Sequence, residues 1–205
     1  MSRISNGSSI VSLVDRSVGY GILGAGARMG AGLVTVSVVA LTLTKEEQGC
    51  FFTFFSVLGL RVFVELGLGQ VLVQFASHEF AKLRLTPQQG LEGDAEALSR
   101  LTSLGRSAIK WFFCGTFVFV VVAVCAGGMF FDGTPSDVDW LGPWVVLCGL
   151  TGLRILLTPI WSILEGCNRV EQIYRFRFFD VICSSVALWV ALGFGVGLWA
   201  LVAST

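Results

Sequence analysis

The sequence predicts an all-α, polytopic membrane helix bundle of five transmembrane helices and the start of a sixth. Three observations carry that expectation. Apolar residues make up 54% of the 205 positions and charged residues only 14%, where a typical soluble domain carries about 25% charge. The mean hydropathy is +0.78, so the chain lacks the polar surface that would cover it in water. Five runs also reach the length of about 20 apolar residues that a helix needs to cross a hydrocarbon core. The same composition excludes intrinsic disorder. Lys+Arg 14 balance Asp+Glu 14, which leaves no basic excess for nucleic acid.

The whole chain, 1–205, is expected to form a single membrane domain. The first span is predicted over about 18–43, rich in Gly and Ala. A cleaved signal peptide fits it less well, because the run is too long, carries Arg28 and has no small-x-small site before Lys45. Its Gly26-x-x-x-Gly30 and Ala27-x-x-x-Ala31 spacings place small residues on one face, which permits close helix approach. The second span is predicted over about 50–76, the third over about 109–131 and the fourth over about 140–164, where Pro159 predicts a kink. The fifth covers about 179–201 and contains a Gly-rich break at Gly193, Gly195 and Gly197, after which Leu198-Trp199-Ala200-Leu201 opens the sixth. A full sixth helix would need about 20 residues, so the expectation is a truncated protein.

The connections sort by charge. Arg3 and Arg16 precede the first span. Lys82, Arg84, Arg100, Arg106 and Lys110 follow the second, and Arg169, Arg175 and Arg177 follow the fourth. The opposite-side loops hold Lys45 beside Glu46 and Glu47, then Asp132, Asp137 and Asp139 with no base. The positive-inside rule therefore predicts a cytoplasmic N-terminus in a multi-pass membrane protein. Within the long connection, Leu91, Ala95, Leu98, Leu101 and Leu104 recur at helical steps. They predict a short amphipathic helix on the membrane surface after a Pro87-Gln88-Gln89-Gly90 turn. A helix packed against the bundle is the simpler role for that segment.

Ionisable groups inside a span are costly and usually face a cavity or a partner. Arg28, Arg61 and Arg154 each fall well inside a predicted span. Glu65 lies at i,i+4 from Arg61, a spacing that allows an intrahelical pair, and Asp180 is expected at the cytoplasmic end of the fifth helix, at the interface. Mutual neutralisation of Arg61 and Glu65 is the purely structural alternative. Three bases against one buried acid favour a polar cavity able to receive an anion, since guanidinium groups bind phosphate oxygens bidentately. Partners supplied by further helices are the competing explanation.

Catalytic and metal chemistry have no sequence support. The six cysteines, Cys50, Cys114, Cys125, Cys148, Cys167 and Cys183, form no C-x-x-C, and His78 is the single histidine. Most of the thiols sit in apolar runs, where cysteine behaves as a small hydrophobe. No Ser-His-Asp set and no phosphate-cradling glycine loop before a lysine is present. The expectation is a protein with no metal, no cofactor and no enzymatic activity.

Leu43-Thr44-Lys45-Glu46-Glu47-Gln48-Gly49 resembles the L-[ST]-x-E-x-[YF]-G link after the first helix of polysaccharide (Wzx-like) flippases. These belong to the multidrug/oligosaccharidyl-lipid/polysaccharide exporter superfamily. Glu65-Leu66-Gly67-Leu68-Gly69-Gln70 resembles that family's [DE]-L-G-[LIF] element late in the second helix. Gly197-Leu198-Trp199-Ala200-Leu201 resembles its turn into the sixth. The chain departs from the pattern at Gln48, where an aromatic is usual, and spans only the N-terminal portion of such a two-lobed protein.

The resemblance implies export of a lipid-linked sugar on an isoprenoid pyrophosphate carrier by alternating access, with a second lobe or a second copy completing the pathway. Arg28, Arg61 and Arg154 are assigned as substrate headgroup contacts by their position, not by the family. Glu65 and Asp180 are assigned as charge partners or ion-coupling groups. Membrane lipids are the other expected partners. A cation-coupled multidrug exporter of the same superfamily and a non-transporting membrane scaffold are the alternatives.

Overall fold

The computed structural model describes residues 5–86, 90–131, 139–167 and 170–205. Helix α1 (Ser5–Thr42) ends at a two-residue link. Thr44 then caps α2 (Lys45–Gly59). Its hydroxyl accepts from the Glu47 N–H, and the Glu47 carboxylate accepts from the Thr44 N–H at 2.9 Å. This reciprocal capping box satisfies two donors that a helix start otherwise leaves open. Helices α3 (Arg61–Glu65) and α4 (Leu68–Phe80) continue the second span.

A short antiparallel hairpin, β1 (Leu83–Thr86) and β2 (Gly90–Gly93), leads into α5 (Ala95–Phe131). Then come α6 (Leu141–Gly166), α7 (Val170–Gly193) and the short α8 (Trp199–Ala203). Five segments are long and apolar enough to cross a membrane. The chain is thus a multi-pass membrane helix bundle, as its composition predicts.

The expected boundaries shift in three places. The second span is not one helix: it breaks at Leu60 and again at Leu66–Gly67, where φ is +44° and +72°. Glycine adopts that left-handed conformation freely, whereas Leu66 does so at a cost of roughly 1–2 kcal/mol. The expected surface helix does not exist as a separate element. Leu98, Leu101 and Leu104 lie in the first turns of α5, whose 37 residues extend about 55 Å, well beyond a hydrocarbon core of about 30 Å. Residues 87–89 of the expected turn lie outside the described residues, and Gly90 opens β2. Finally, α7 begins well before residue 179, so Arg175, Arg177 and Asp180 are helical. Its end at Gly193, with positive φ at Gly195 and Gly197 before α8, matches the expected Gly-rich break.

Small residues set the closest helix contacts, but not the expected ones. Gly26 and Gly30 face outward with nothing near them. The tight contacts are Gly166 of α6 against α4, where an added Cβ would stand 2.6 Å from the Ala76 Cβ, and Gly152 of α6 against Val120 of α5. Gly127 of α5 lies against the Trp144 indole of α6. Helix α1 packs along α7, with Trp189 donating to the Thr35 hydroxyl at 3.0 Å.

The main core runs along the bundle, from Val39, Phe54, Phe131, Trp144, Leu192 and Leu201 at the end that carries the α1–α2 link to Leu72, Ala108 and Phe112 towards the other. A smaller core of Ala76, Leu83, Ala97 and Leu101 ties α4, the hairpin and α5 at the other end. Large apolar side chains such as Met29, Phe63, Phe117 and Met129 are exposed on the outside of the bundle, as a hydrocarbon solvent would allow.

Candidate functional site

The helix registers place the three intramembrane arginines at one depth. Thr35 against Trp189 sets Arg28 of α1 level with Ile182 of α7, about half a turn from Asp180. Val64 against Gly115 sets Arg61 of α3 level with Val118 of α5, and Gly152 of α6 lies between Thr116 and Val120 of that same stretch. Arg154 is two residues from Gly152 and midway along α6. The three guanidinium-bearing positions therefore share a slab on the order of one helical turn thick.

Their environments differ. Arg154 is engaged. Its Nη2 pairs with Asp180 Oδ1 at 3.3 Å and donates to the Thr205 carbonyl oxygen at 2.8 Å, to which Nε also donates at 3.1 Å. One side chain thereby joins α6, α7 and the end of α8. Asp180 is not at a helix end as expected but well inside α7, because the charged turns before it pair across to α6 instead of forming a loop. Helical spacing along α6 offers Arg154 no carboxylate, and its partner comes from the neighbouring helix. Three bases thus face two acids in the slab, so the expected cationic excess is smaller.

Arg28 and Arg61 are exposed and, among the described residues, have no hydrogen-bond or ion-pair partner. The allowed Arg61–Glu65 pair does not form, although both residues belong to the same turn of α3. Glu65 is half-buried, immediately before the left-handed Leu66. The start of α4 at Gly67 has no side-chain cap.

A second charge pair stands a few turns away on the same helix interface. Arg177 Nη2 meets Glu165 Oε2 at 2.9 Å, and its guanidinium lies over the Tyr174 ring. Beside this second pair the rings of Trp161 and Phe176 stack at 5.0 Å. Helices α6 and α7 are thus joined by long polar and aromatic side chains and not by small-residue packing. Arg175 lines a cavity of about 580 Å³ between α1 and α7 with Tyr20, Phe176 and Phe179. Sequence spacing had assigned Arg175 and Arg177 to a loop. Glu165, eleven residues beyond Arg154 on α6, was the available signal, because both positions fall on one helical face.

Two of the sequence elements singled out above meet in space. Glu47, which closes the capping box of α2, has its Oε1 against Gly197 of the α7–α8 turn, where an added Cβ would stand 3.0 Å away. His78 is exposed near the end of α4. No disulfide links the six cysteines, and no cluster of metal-ligating side chains occurs among the described residues. Comparison with protein-family models, curated proteins and solved structures found no match.

Proposed function

We propose that this membrane bundle acts in flippase-like export of lipid-linked oligosaccharide or polysaccharide precursors. In this reading Arg28 and Arg61 receive an anionic carrier headgroup at mid-membrane depth. The observation that supports it most is the pair of exposed, unpartnered guanidinium groups at one level, on α1 and α3. An uncompensated arginine at that depth is costly, and a pyrophosphate would neutralise either one by bidentate, charge-assisted hydrogen bonds. Arg154 is assigned a different role from the other two: held by Asp180 and the Thr205 carbonyl, it positions α6, α7 and α8 around the site. The headgroup set is therefore Arg28 and Arg61 first, with Arg154 reached only if Asp180 releases it.

The charge sorting of the connections favours an N-terminus on the cytoplasmic side of the inner membrane, so the hairpin end would face the cytoplasm. The broken second span fits a transporter, since discontinuous helices near the midplane commonly line substrate sites. A second lobe, or a second copy of the chain, would close the pathway. The reading is one of transport and involves no catalytic step. The scaffold alternative is favoured by one observation: Arg154 is already neutralised within the chain.

Binding separates the two. The full chain in detergent, titrated with a polyprenyl pyrophosphate, is expected to bind it, and Arg28→Ala or Arg61→Ala each to weaken binding. Loss of one charge-assisted hydrogen bond, about 1.5–3 kcal/mol, corresponds to roughly 10- to 150-fold in affinity. Equal binding by the wild type and both variants would favour the scaffold.

A further inference from the structure

The cavity of about 580 Å³ between α1 and α7 lies at another depth from the arginine slab. Its α7 wall is Gln172, Arg175, Phe176 and Phe179, and Tyr20 closes it from α1. Positions 172, 175, 176 and 179 recur at three- and four-residue steps, so they share one face of the helix. Arg175 precedes Ile182, the level of Arg28, by about 10 Å along α7. With the slab at the middle of a hydrocarbon core of about 30 Å, Arg175 stands just inside the edge. An extended arginine stem carries its guanidinium from there to the lipid headgroups.

Neighbouring rings hold the walls in place. Phe176 stacks on Trp161 of α6 at 5.0 Å, and Tyr20 meets Phe178 with ring centroids 6.1 Å apart. Beside Tyr20, Gly21 keeps α1 close to the Tyr174 ring, 3.4 Å from where a Cβ would stand. Arg175 is the one charged residue in the described lining, and it has no hydrogen-bond or ion-pair partner among the described residues. Arg177 differs, being taken up by Glu165 and the Tyr174 ring. Glu171 precedes Arg175 at an i,i+4 spacing but does not pair with it. Polarity also falls along the cavity, from Gln172 and Arg175 near the helix start to Phe176 and Phe179 deeper in the membrane, over about 10 Å.

We propose that this cavity is a binding site for an anionic phospholipid of the surrounding bilayer. The lipid phosphate sits on Arg175, and the first part of its chains lies against Phe176 and Phe179. One unpaired positive charge is matched by a ligand of one negative charge, and a guanidinium holds phosphate oxygens by charge-assisted hydrogen bonds. The polar-to-apolar order from Gln172 to Phe179 is the order of headgroup and chain in a lipid, whereas inorganic phosphate would leave the apolar half unused. The site is separate in depth from Arg28 and Arg61 and does not rest on the transport reading.

The test is native mass spectrometry of the full chain in detergent micelles, titrated with phosphatidylglycerol or with phosphatidylcholine of the same chains. The first phosphatidylglycerol is expected to bind about tenfold more tightly than phosphatidylcholine, whose choline cancels the phosphate charge. That factor is the lower end of what one hydrogen bond to a charged group supplies. Arg175→Gln should erase the preference, and Arg175→Lys, which keeps the charge, should retain most of it. Lys110→Gln, at an exposed base of α5 outside the cavity, should leave the preference unchanged.

Equal binding of the two lipids by the wild type would overturn the proposal, as would a loss in Lys110→Gln as large as in Arg175→Gln. Either result would make the cavity an ordinary lipid contact. Displacement of the bound lipid by an equal concentration of inorganic phosphate would overturn it too, because the ligand would then be the free anion. Arg175 is exposed, so its substitution disturbs no buried packing, and a folded variant is recognised by its unchanged elution as a single species.

Discussion

Asp180→Asn removes the acid that neutralises Arg154 while keeping the size and shape of the side chain. At 3.3 Å and an effective dielectric constant of about 20, the attraction amounts to roughly 5 kcal/mol before desolvation is counted. The two side chains are 39% and 38% exposed, and Arg154 retains the Thr205 carbonyl, so most of that gross term is offset. Exposed pairs contribute about 0–1 kcal/mol, whereas breaking a buried pair from one side costs about 3–5 kcal/mol. This half-exposed pair falls between those limits, at about 1–2 kcal/mol. The assay is a double-mutant cycle of Asp180→Asn and Arg154→Gln, read by equilibrium unfolding in mixed micelles. The expected coupling is about 1–2 kcal/mol, with the double variant more stable than the sum of the single changes implies. Additivity to within about 0.5 kcal/mol would refute the argument, because Arg154 would then owe its place to the Thr205 carbonyl alone.

Other changes test the packing and the termini. Gly166→Ala drives a methyl group to within 2.6 Å of the Ala76 Cβ and 2.7 Å of the Val73 carbonyl, an overpacking worth about 1–3 kcal/mol, visible as a lower unfolding midpoint. Gly67→Ala forces a side chain onto φ +72° and should cost roughly 1–2 kcal/mol in the same assay, while the conformationally neutral Gly59→Ala should cost less. Thr44→Ala removes the capping box of α2 and should lose about 0.5–2 kcal/mol. Among the thiols, an apolar maleimide should label the exposed Cys114, Cys125 and Cys183 before the buried Cys50 and Cys148. The reverse order, read by mass spectrometry, would contradict the packing.

Apolar run length made the five spans legible, because crossing hydrocarbon imposes a length and a composition that no other element shares. The stop at Gly193 was legible for a related reason, since clustered glycines end a helix cheaply. The breaks inside the second span were not: Leu66 adopts a left-handed conformation with no local marker in an apolar run. The start of α5 was misjudged because Leu98, Leu101 and Leu104 keep the same helical period as the span that follows, so nothing marks a boundary between them. For the candidate site, the positions of Arg28, Arg61 and Arg154 were visible as charges in apolar runs. Their partners were not, because Arg154–Asp180 and Arg177–Glu165 join different helices. Spacing along one helix predicts only i,i+3 and i,i+4 neighbours, and the one pair it allowed, Arg61–Glu65, does not form.

The central claim is that the unpartnered Arg28 and Arg61 handle an anionic lipid headgroup in the membrane. Its most direct measurement is transfer of a fluorescent lipid-linked sugar between leaflets of proteoliposomes containing the full chain. The account predicts transfer above the protein-free rate, and its loss in both Arg28→Ala and Arg61→Ala. Transfer no faster than in protein-free liposomes, or transfer that both substitutions leave intact, would contradict it.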